Sequence, residues 1–317
     1  MKKCSSLKTI LSTLFLLCLL SQSTWAQKTT VEFARYPDGT ALQMDIYQPL
    51  VKSDTPHVCV VFAFGGGFFT GRRDANSYLP FFQFLADKGY TVASIDCRLG
   101  LKGLKKAPSL FNRKPLINAI DLAVQDVFAA TQYLLQHAGS LHIDTSKIVL
   151  SGSSAGAIAA LQSEYQKRNN SKHAQLLPTG FQYAGVVSFA GAIYSTEGKP
   201  DYKIAPAPAL FFHGNKDNIV PYKKIGLFGT GMYGSQSLAN KRKKEGFPYA
   251  LYTYEGIRHD VAAFPMRENQ AEVHQFIQEY VVKKRPLFID VNIRDANRKN
   301  RLNGSLQDAM RSQNQRR

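Results

Sequence analysis

Lys147-Ile148-Val149-Leu150-Ser151-Gly152-Ser153-Ser154-Ala155-Gly156 passes from an apolar, β-branched stretch into a run of small residues, and its reading decides the fold. One frame satisfies Gly-x-Ser-x-Gly, and it centres Ser154. Residues 147–150 suit a buried strand, and the Ala-rich residues 155–167 suit a helix. A strand that turns straight into a helix holds its central serine in a strained conformation and projects the hydroxyl from the sheet edge. The small flanking residues let the chain pack there. A serine in this place can also serve as an ordinary helix cap. The strand before it and the helix after it give the motif its weight.

Outward from this turn, strands and helices alternate. Residues 30–35 and 41–47 read as strands around Pro37-Asp38-Gly39, a turn sequence that suits a hairpin. Residues 57–64, 90–96, 183–189, 209–212 and 249–254 read as further strands. Residues 78–88 and 268–282 read as helices. Between 117 and 137, Ile120, Val124, Val127, Thr131 and Leu134 recur at helical spacing. The expected fold class is therefore α/β: a mostly parallel central sheet flanked by helices, with an antiparallel hairpin at its N-terminal end.

A nucleophilic serine needs a base, because its hydroxyl is scarcely ionised near neutral pH. His259 follows the strand ending at Tyr254, in the loop Glu255-Gly256-Ile257-Arg258-His259-Asp260. His274 lies instead within the helical pattern of Val273, Phe276, Ile277 and Tyr280, and is expected on that helix's surface. Asp217 stands in the loop after Phe212, in His213-Gly214-Asn215-Lys216-Asp217-Asn218-Ile219-Val220-Pro221. A carboxylate there can orient the imidazole and stabilise its charged form. Its competing role is to cap a helix starting near Pro221. His213 is expected to be structural, and Asp260 adjoins His259 too closely in sequence to serve it well. Gly65-Gly66-Gly67 follows the strand 57–64. Backbone amides of Gly66 and Gly67, with that of Ala155, are the expected oxyanion donors, and the frame could slip by one to Gly65.

The order of glycine triplet, Gly-x-Ser-x-Gly, Asp and His resembles the α/β-hydrolase superfamily. The chain is most similar to its secreted carboxylesterases and to feruloyl- or acetyl-esterase-like enzymes related to the hormone-sensitive-lipase group. The resemblance runs from about residue 36 to 282. It includes Leu42-Gln43-Met44-Asp45-Ile46-Tyr47-Gln48-Pro49 and the phrase His213-Gly214-x-x-Asp217-x-x-Val220-Pro221. It implies an α/β-hydrolase fold and ester hydrolysis through Ser154, His259 and Asp217, with no metal and no organic cofactor. Two departures stand out. Phe64 occupies the place where relatives often carry a histidine before the triplet, and Asp96-Cys97-Arg98 replaces a frequent Asp-Tyr-Arg. A peptidase of the same fold and a catalytically silent surface-binding protein are the rival readings.

The chain has 317 residues, 44% of them hydrophobic, enough for one large domain with a sizeable core. The net charge of +17 is concentrated at the ends. Lys2, Lys3 and Lys8 open the chain, and ten basic residues against three acidic ones lie between Lys283 and Arg317, so about +7 remains on the body. That excess forms no basic stripe interleaved with aromatics, which argues against nucleic acid as a partner. The expected partner is a small-molecule or polysaccharide ester.

Met1-Lys2-Lys3, the apolar run 10–20 and Thr24-Trp25-Ala26 have the form of a secretory signal over residues 1–26. Leu17 precedes Cys18 where lipoprotein signals place a small residue, so a secreted or periplasmic location is the expectation. Cys59 and Cys97 are expected to be free, since parallel strands would keep them too far apart to bridge. The domain is expected over residues 27–286. Residues 287–317 are expected to form a basic mobile tail or a loosely docked helix, dispensable for activity and able to touch anionic cell-surface polymer.

Overall fold

In the strand β3 (His57–Ala63), alternate side chains point to opposite faces, as the period of two requires. Cys59, Val61 and Ala63 enter one apolar cluster, and Val58, Val60 and Phe62 enter the other. Both faces of the sheet are therefore buried, which is why this strand is continuously apolar. The computed structural model describes residues 26–50, 53–109, 111–227, 229–302 and 304–315. The leader expected over residues 1–26 lies, but for Ala26, outside the described residues.

The strands β1 (Gln27–Arg35) and β2 (Ala41–Gln48) form the antiparallel hairpin. Then come the helix α1 (Leu79–Asp87), β4 (Thr91–Ile95), the helix α2 (Lys114–Gln136), β5 (Ile143–Ser153) and the helix α3 (Ala155–Arg168). They are followed by β6 (Gly185–Phe189), β7 (Ala192–Ser195), β8 (Ala209–Gly214), β9 (Lys224–Leu227) and β10 (Thr230–Gly234). The helix α4 (Ser235–Glu245), β11 (Tyr249–Tyr254) and the helix α5 (Gln270–Phe276) lead to β12 (Phe288–Ile293) and the helix α6 (Leu306–Gln315). The main sheet has the order β1-β2-β4-β3-β5-β6-β8-β11-β12, and β7, β10 and β9 form a small second sheet. From β4 to β12 the main sheet is parallel. The α/β-hydrolase fold expected from the sequence is the fold observed.

The helix α2 buries Ile120, Val124, Val127, Thr131 and Leu134, the stripe that its spacing picks out. It lies with α3 on one face of the sheet, and α1 and α5 lie on the other. Cys59 and Cys97 are both free.

Two expectations fail. No helix begins near Pro221: residues 218–221 are a turn leading into β9, because Asp217 takes the amides of Ile219 and Val220 into a tight local loop. The segment after residue 286 is not a mobile tail but takes the docked alternative, with a strand that the sequence reading did not include. The strand β12 pairs with β11 in parallel over Phe288–Ile293, and Ile289 and Ile293 pack on the core. The helix α6 is opened by a reciprocal cap, in which the Ser305 amide and hydroxyl bond Asp308 while the Asp308 amide bonds the Ser305 hydroxyl. Its Met310 is 2% exposed. The domain thus continues through the region assigned to the tail, because strand alternation and an i, i+4 apolar pair (Leu306 and Met310) supply anchors that bulk composition hides.

Candidate active site

In a parallel sheet the strands share one C-terminal edge, and loops gather there. The strands β5, β8 and β11 are close in the sheet, and each ends at that edge in one of the three singled-out side chains. Ser154 follows β5, Asp217 follows β8 and His259 follows β11.

Ser154 sits between strand and helix with φ 52° and ψ −117°, a strained conformation for a residue with a side chain. Its amide bonds the Phe189 carbonyl at 2.8 Å, which fixes the turn against β6. The two motif glycines have steric causes. A Cβ on Gly156 would lie 2.0 Å from the Ala63 carbonyl oxygen, and one on Gly152 would lie 2.4 Å from Gly156 itself. The strain is held in place because the turn is too crowded to relax.

The structure brings Ser154, His259 and Asp217 together. Ser154 Oγ is 2.7 Å from His259 Nε2, and His259 Nδ1 is 2.7 Å from Asp217 Oδ2. An ionised carboxylate only accepts, so Nδ1 carries the proton and Nε2 is left to accept from the serine hydroxyl. The Asp217 side chain is fully enclosed. Its Oδ1 accepts from the amides of Ile219 (2.9 Å) and Val220 (3.0 Å). It therefore caps the local turn and holds the imidazole at once. Burial pushes its pKa up, but hydrogen bonds from His213 and His259 outweigh this and hold it well below the usual carboxylate range.

Sequence reasoning gave His213 a structural part without naming its partner, and did not identify two further supports. His213 is fully buried, and its Nε2 lies 3.2 Å from the Val220 carbonyl and 3.3 Å from Asp217 Oδ2. Both are acceptors, so Nε2 donates, and Nδ1 accepts from Ser235 Oγ at 2.7 Å. Gly214 allows close approach: a Cβ there would lie 2.3 Å from the Ile257 carbonyl oxygen, in the loop that delivers His259. Ser153 Oγ donates to the Ala262 carbonyl at 2.7 Å, tying the serine turn directly to the histidine loop. The phrase His213-Gly214-x-x-Asp217 carried the signal for the first two, and nothing in the sequence pointed to the third. Asp260 is engaged elsewhere, accepting from the amides of Arg301 and Leu302. His274 bonds the Tyr90 hydroxyl through Nδ1.

The glycine loop adjoins the serine. A Cβ on Gly65 would lie 3.4 Å from Ser154 Cβ. The Gly65 amide donates to the Tyr78 hydroxyl at 3.0 Å, which removes it as a free donor. The amides of Gly66, Gly67 and Ala155 bond no acceptor among the described residues. Gly66 has φ 133°, and its carbonyl accepts from Phe69 and Thr70. A side chain at Gly66 would meet the Thr70 carbonyl oxygen at 2.1 Å. Gly66→Val should therefore displace the loop and lower kcat by about 10²-fold or more, comparable to losing one oxyanion donor. A rise in KM alone, with kcat retained, would show that the loop merely shapes the pocket.

The substituted positions near the loop are also accommodated. The Arg98 amide and Nε both donate to the buried Asp126, and Arg73 reaches Asp96. Phe64 is buried, with Tyr78 rather than a histidine holding the loop.

Sheet order, strained serine turn and the chain order of these side chains are those of the α/β-hydrolase fold. The BD-FAE family profile matches residues 44–197, just under half of the chain. That stretch includes the glycine loop and Ser154 but neither Asp217 nor His259. Lipase 2 of Moraxella sp. (strain TA144) is 30% identical over 141 residues, 43% of this chain. The match spans 28% of the length of that curated relative. Among solved structures, Thermogutta terrifontis esterase 2 phosphoramylated by tabun has a TM-score of 0.58 at 22% identity, covering 81% of this chain and 94% of that one. A truncated carbohydrate esterase from gut microbiota has a TM-score of 0.58 at 16% identity, covering 83% and 99%. At such identities these two establish the fold.

Proposed function

We propose that this protein is a serine carboxylic-ester hydrolase acting on short-acyl or feruloyl esters of carbohydrate or aromatic alcohols. The observation that carries the reading is the continuous relay from Ser154 Oγ through His259 to the enclosed Asp217, with both links at 2.7 Å. Ser154 Oγ attacks the ester carbonyl as His259 Nε2 takes its proton. Asp217 stabilises the imidazolium, and the amides of Gly66, Gly67 and Ala155 receive the oxyanion. His259 then gives the proton to the leaving alcohol, which leaves an acyl-Ser154 ester. Water, deprotonated by the same nitrogen, attacks that ester and releases the acid.

A short acyl group suits a site whose serine and histidine are 9% and 5% exposed. Residues 196–208, where an apolar lid could be inserted, are largely polar, and only Ile204 is a large exposed hydrophobic there. The similar Thermogutta terrifontis esterase 2 has been solved with propionate and with butyrate bound, which is in keeping with this reading. Export by the leader at residues 1–26 belongs to the same proposal, and an exported enzyme would meet acylated polysaccharide. So does contact of the basic C-terminal segment with anionic polymer. That charge is partly committed internally: Lys283 and Arg285 pair with Glu279, and Arg298 with Glu268.

Acetyl, octanoyl and feruloyl esters of one leaving group, offered to the mature protein, test the substrate class. Acetyl or feruloyl should be preferred in kcat/KM. Preference for octanoyl would make the protein a lipase, and cleavage of peptide in place of ester would make it a peptidase.

A further inference from the structure

The C-terminal segment crosses the loops that hold the candidate active site. At its near end it clamps the histidine loop. The Arg258 amide donates to Asn300 Oδ1 at 2.6 Å, and Asn300 Nδ2 donates to the Gly256 carbonyl at 3.0 Å. On the other side of His259, the Asp260 carboxylate accepts from the amides of Arg301 and Leu302. At its far end the segment rests on the glycine loop. A Cβ on Gly67 would lie 2.5 Å from Phe69 Cε1 and 2.9 Å from Leu306 Cδ1, so Leu306 and the Phe69 ring together fill the place that a side chain on that glycine would take. Gln307 Oε1 accepts from the Ala107 amide at 2.7 Å, and Met310 is buried beside Leu306 in the core cluster. One strap thus spans from the residues flanking His259 to the glycine loop that adjoins Ser154.

We propose that Leu306 is a specificity-determining residue, the apolar wall that the C-terminal strap sets against the Gly67 loop to limit the length of the acyl group. This rests on the ester-hydrolase reading above and deepens it. An acyl chain on Ser154 has its carbonyl oxygen directed at the Gly66 and Gly67 amides, so its alkyl end passes close to that loop. A leucine there leaves room for a short chain and collides with a long one. Three features make the wall firm: the reciprocal cap that opens α6, the Gln307 bond and the buried Met310. The wall is also a separate element from the chain that carries the catalytic side chains, so its shape can change without moving them.

The test is a pair of variants of opposite sign, Leu306→Ala and Leu306→Phe, assayed in the full-length mature protein. Acetyl, butyryl and hexanoyl esters of one leaving group are compared by kcat/KM. Each further methylene that becomes buried is worth about fourfold. Leu306→Ala should raise the hexanoyl-to-acetyl ratio about tenfold or more, and Leu306→Phe should lower it. A purely structural role would depress all three esters in both variants and leave the ratios where they are in the wild type. Ratios that stay within twofold of the wild type in both variants would overturn the proposal while leaving the ester reading standing. If the wild-type protein hydrolyses only the feruloyl ester, this inference falls while the ester reading stands; if it hydrolyses neither that ester nor any of the three, both fall.

Discussion

Ser154→Ala should lower kcat on an acetyl ester by about a millionfold, the scale seen when a serine hydrolase loses its nucleophile. The reason is geometric. Ser154 Oγ is the hydroxyl facing His259 Nε2, and neighbouring Ser153 cannot replace it, because the Ser153 hydroxyl is bound to the Ala262 carbonyl on the histidine loop. Alanine keeps the Cβ and thus the same strained turn, so the thermal midpoint should move little. Steady-state rates with a chromogenic ester, beside a melting curve, check both halves. Activity within tenfold of the wild type would remove Ser154 from the mechanism.

Asp217→Asn should cost up to about 10⁴-fold in kcat, and it should also weaken the fold. Four donors converge on this carboxylate: the amides of Ile219 and Val220 on Oδ1, and His259 Nδ1 and His213 Nε2 on Oδ2. An asparagine offers one acceptor oxygen and one NH₂ group, so it must present donors either to the turn or to the two histidines. The first choice leaves buried amides unpaired, at about 1–3 kcal/mol. The second drives His259 toward the tautomer that cannot accept from Ser154. Measuring kcat together with unfolding free energy separates these two outcomes. An unchanged rate would transfer the role to another carboxylate, and Asp260 is poorly placed for it because Arg301 and Leu302 occupy its oxygens. The pH dependence follows from the same contacts. Because the folded-state pKa of Asp217 is depressed, its contribution is present above the unfolded carboxylate value and is lost as pH falls through the folded one. The asparagine variant should lack that acid-side fall in stability.

Local patterns made most of the framework legible. The alternation in residues 57–63 and the helical stripe from Ile120 to Leu134 each report a face that must be buried, and burial is what forms these elements. The strained turn at Ser154 was readable because Gly152 and Gly156 are the residues that fit where backbone approaches backbone within van der Waals distance. The C-terminal segment was misread for a related reason. Its charge and polarity dominate a composition average, whereas Ile289, Ile293, Leu306 and Met310 act through their spacing.

What the sequence by itself determined was the order of elements, the serine turn and the three side chains whose types suit acyl transfer. These are local properties, set by steric limits and by periodicities of a few residues. The tertiary structure alone decided which supports surround them. It placed Ser153 on the Ala262 carbonyl, Tyr78 on the Gly65 amide and Leu306 beside Gly67. Ser153 and Leu306 lie more than a hundred residues along the chain from their partners, and there register in the sheet, not sequence neighbourhood, sets the distance. The strap over the glycine loop is the clearest case: Leu306 and Gly67 meet because β12 docks beside β11 and aims the chain back across the edge where β5, β8 and β11 end.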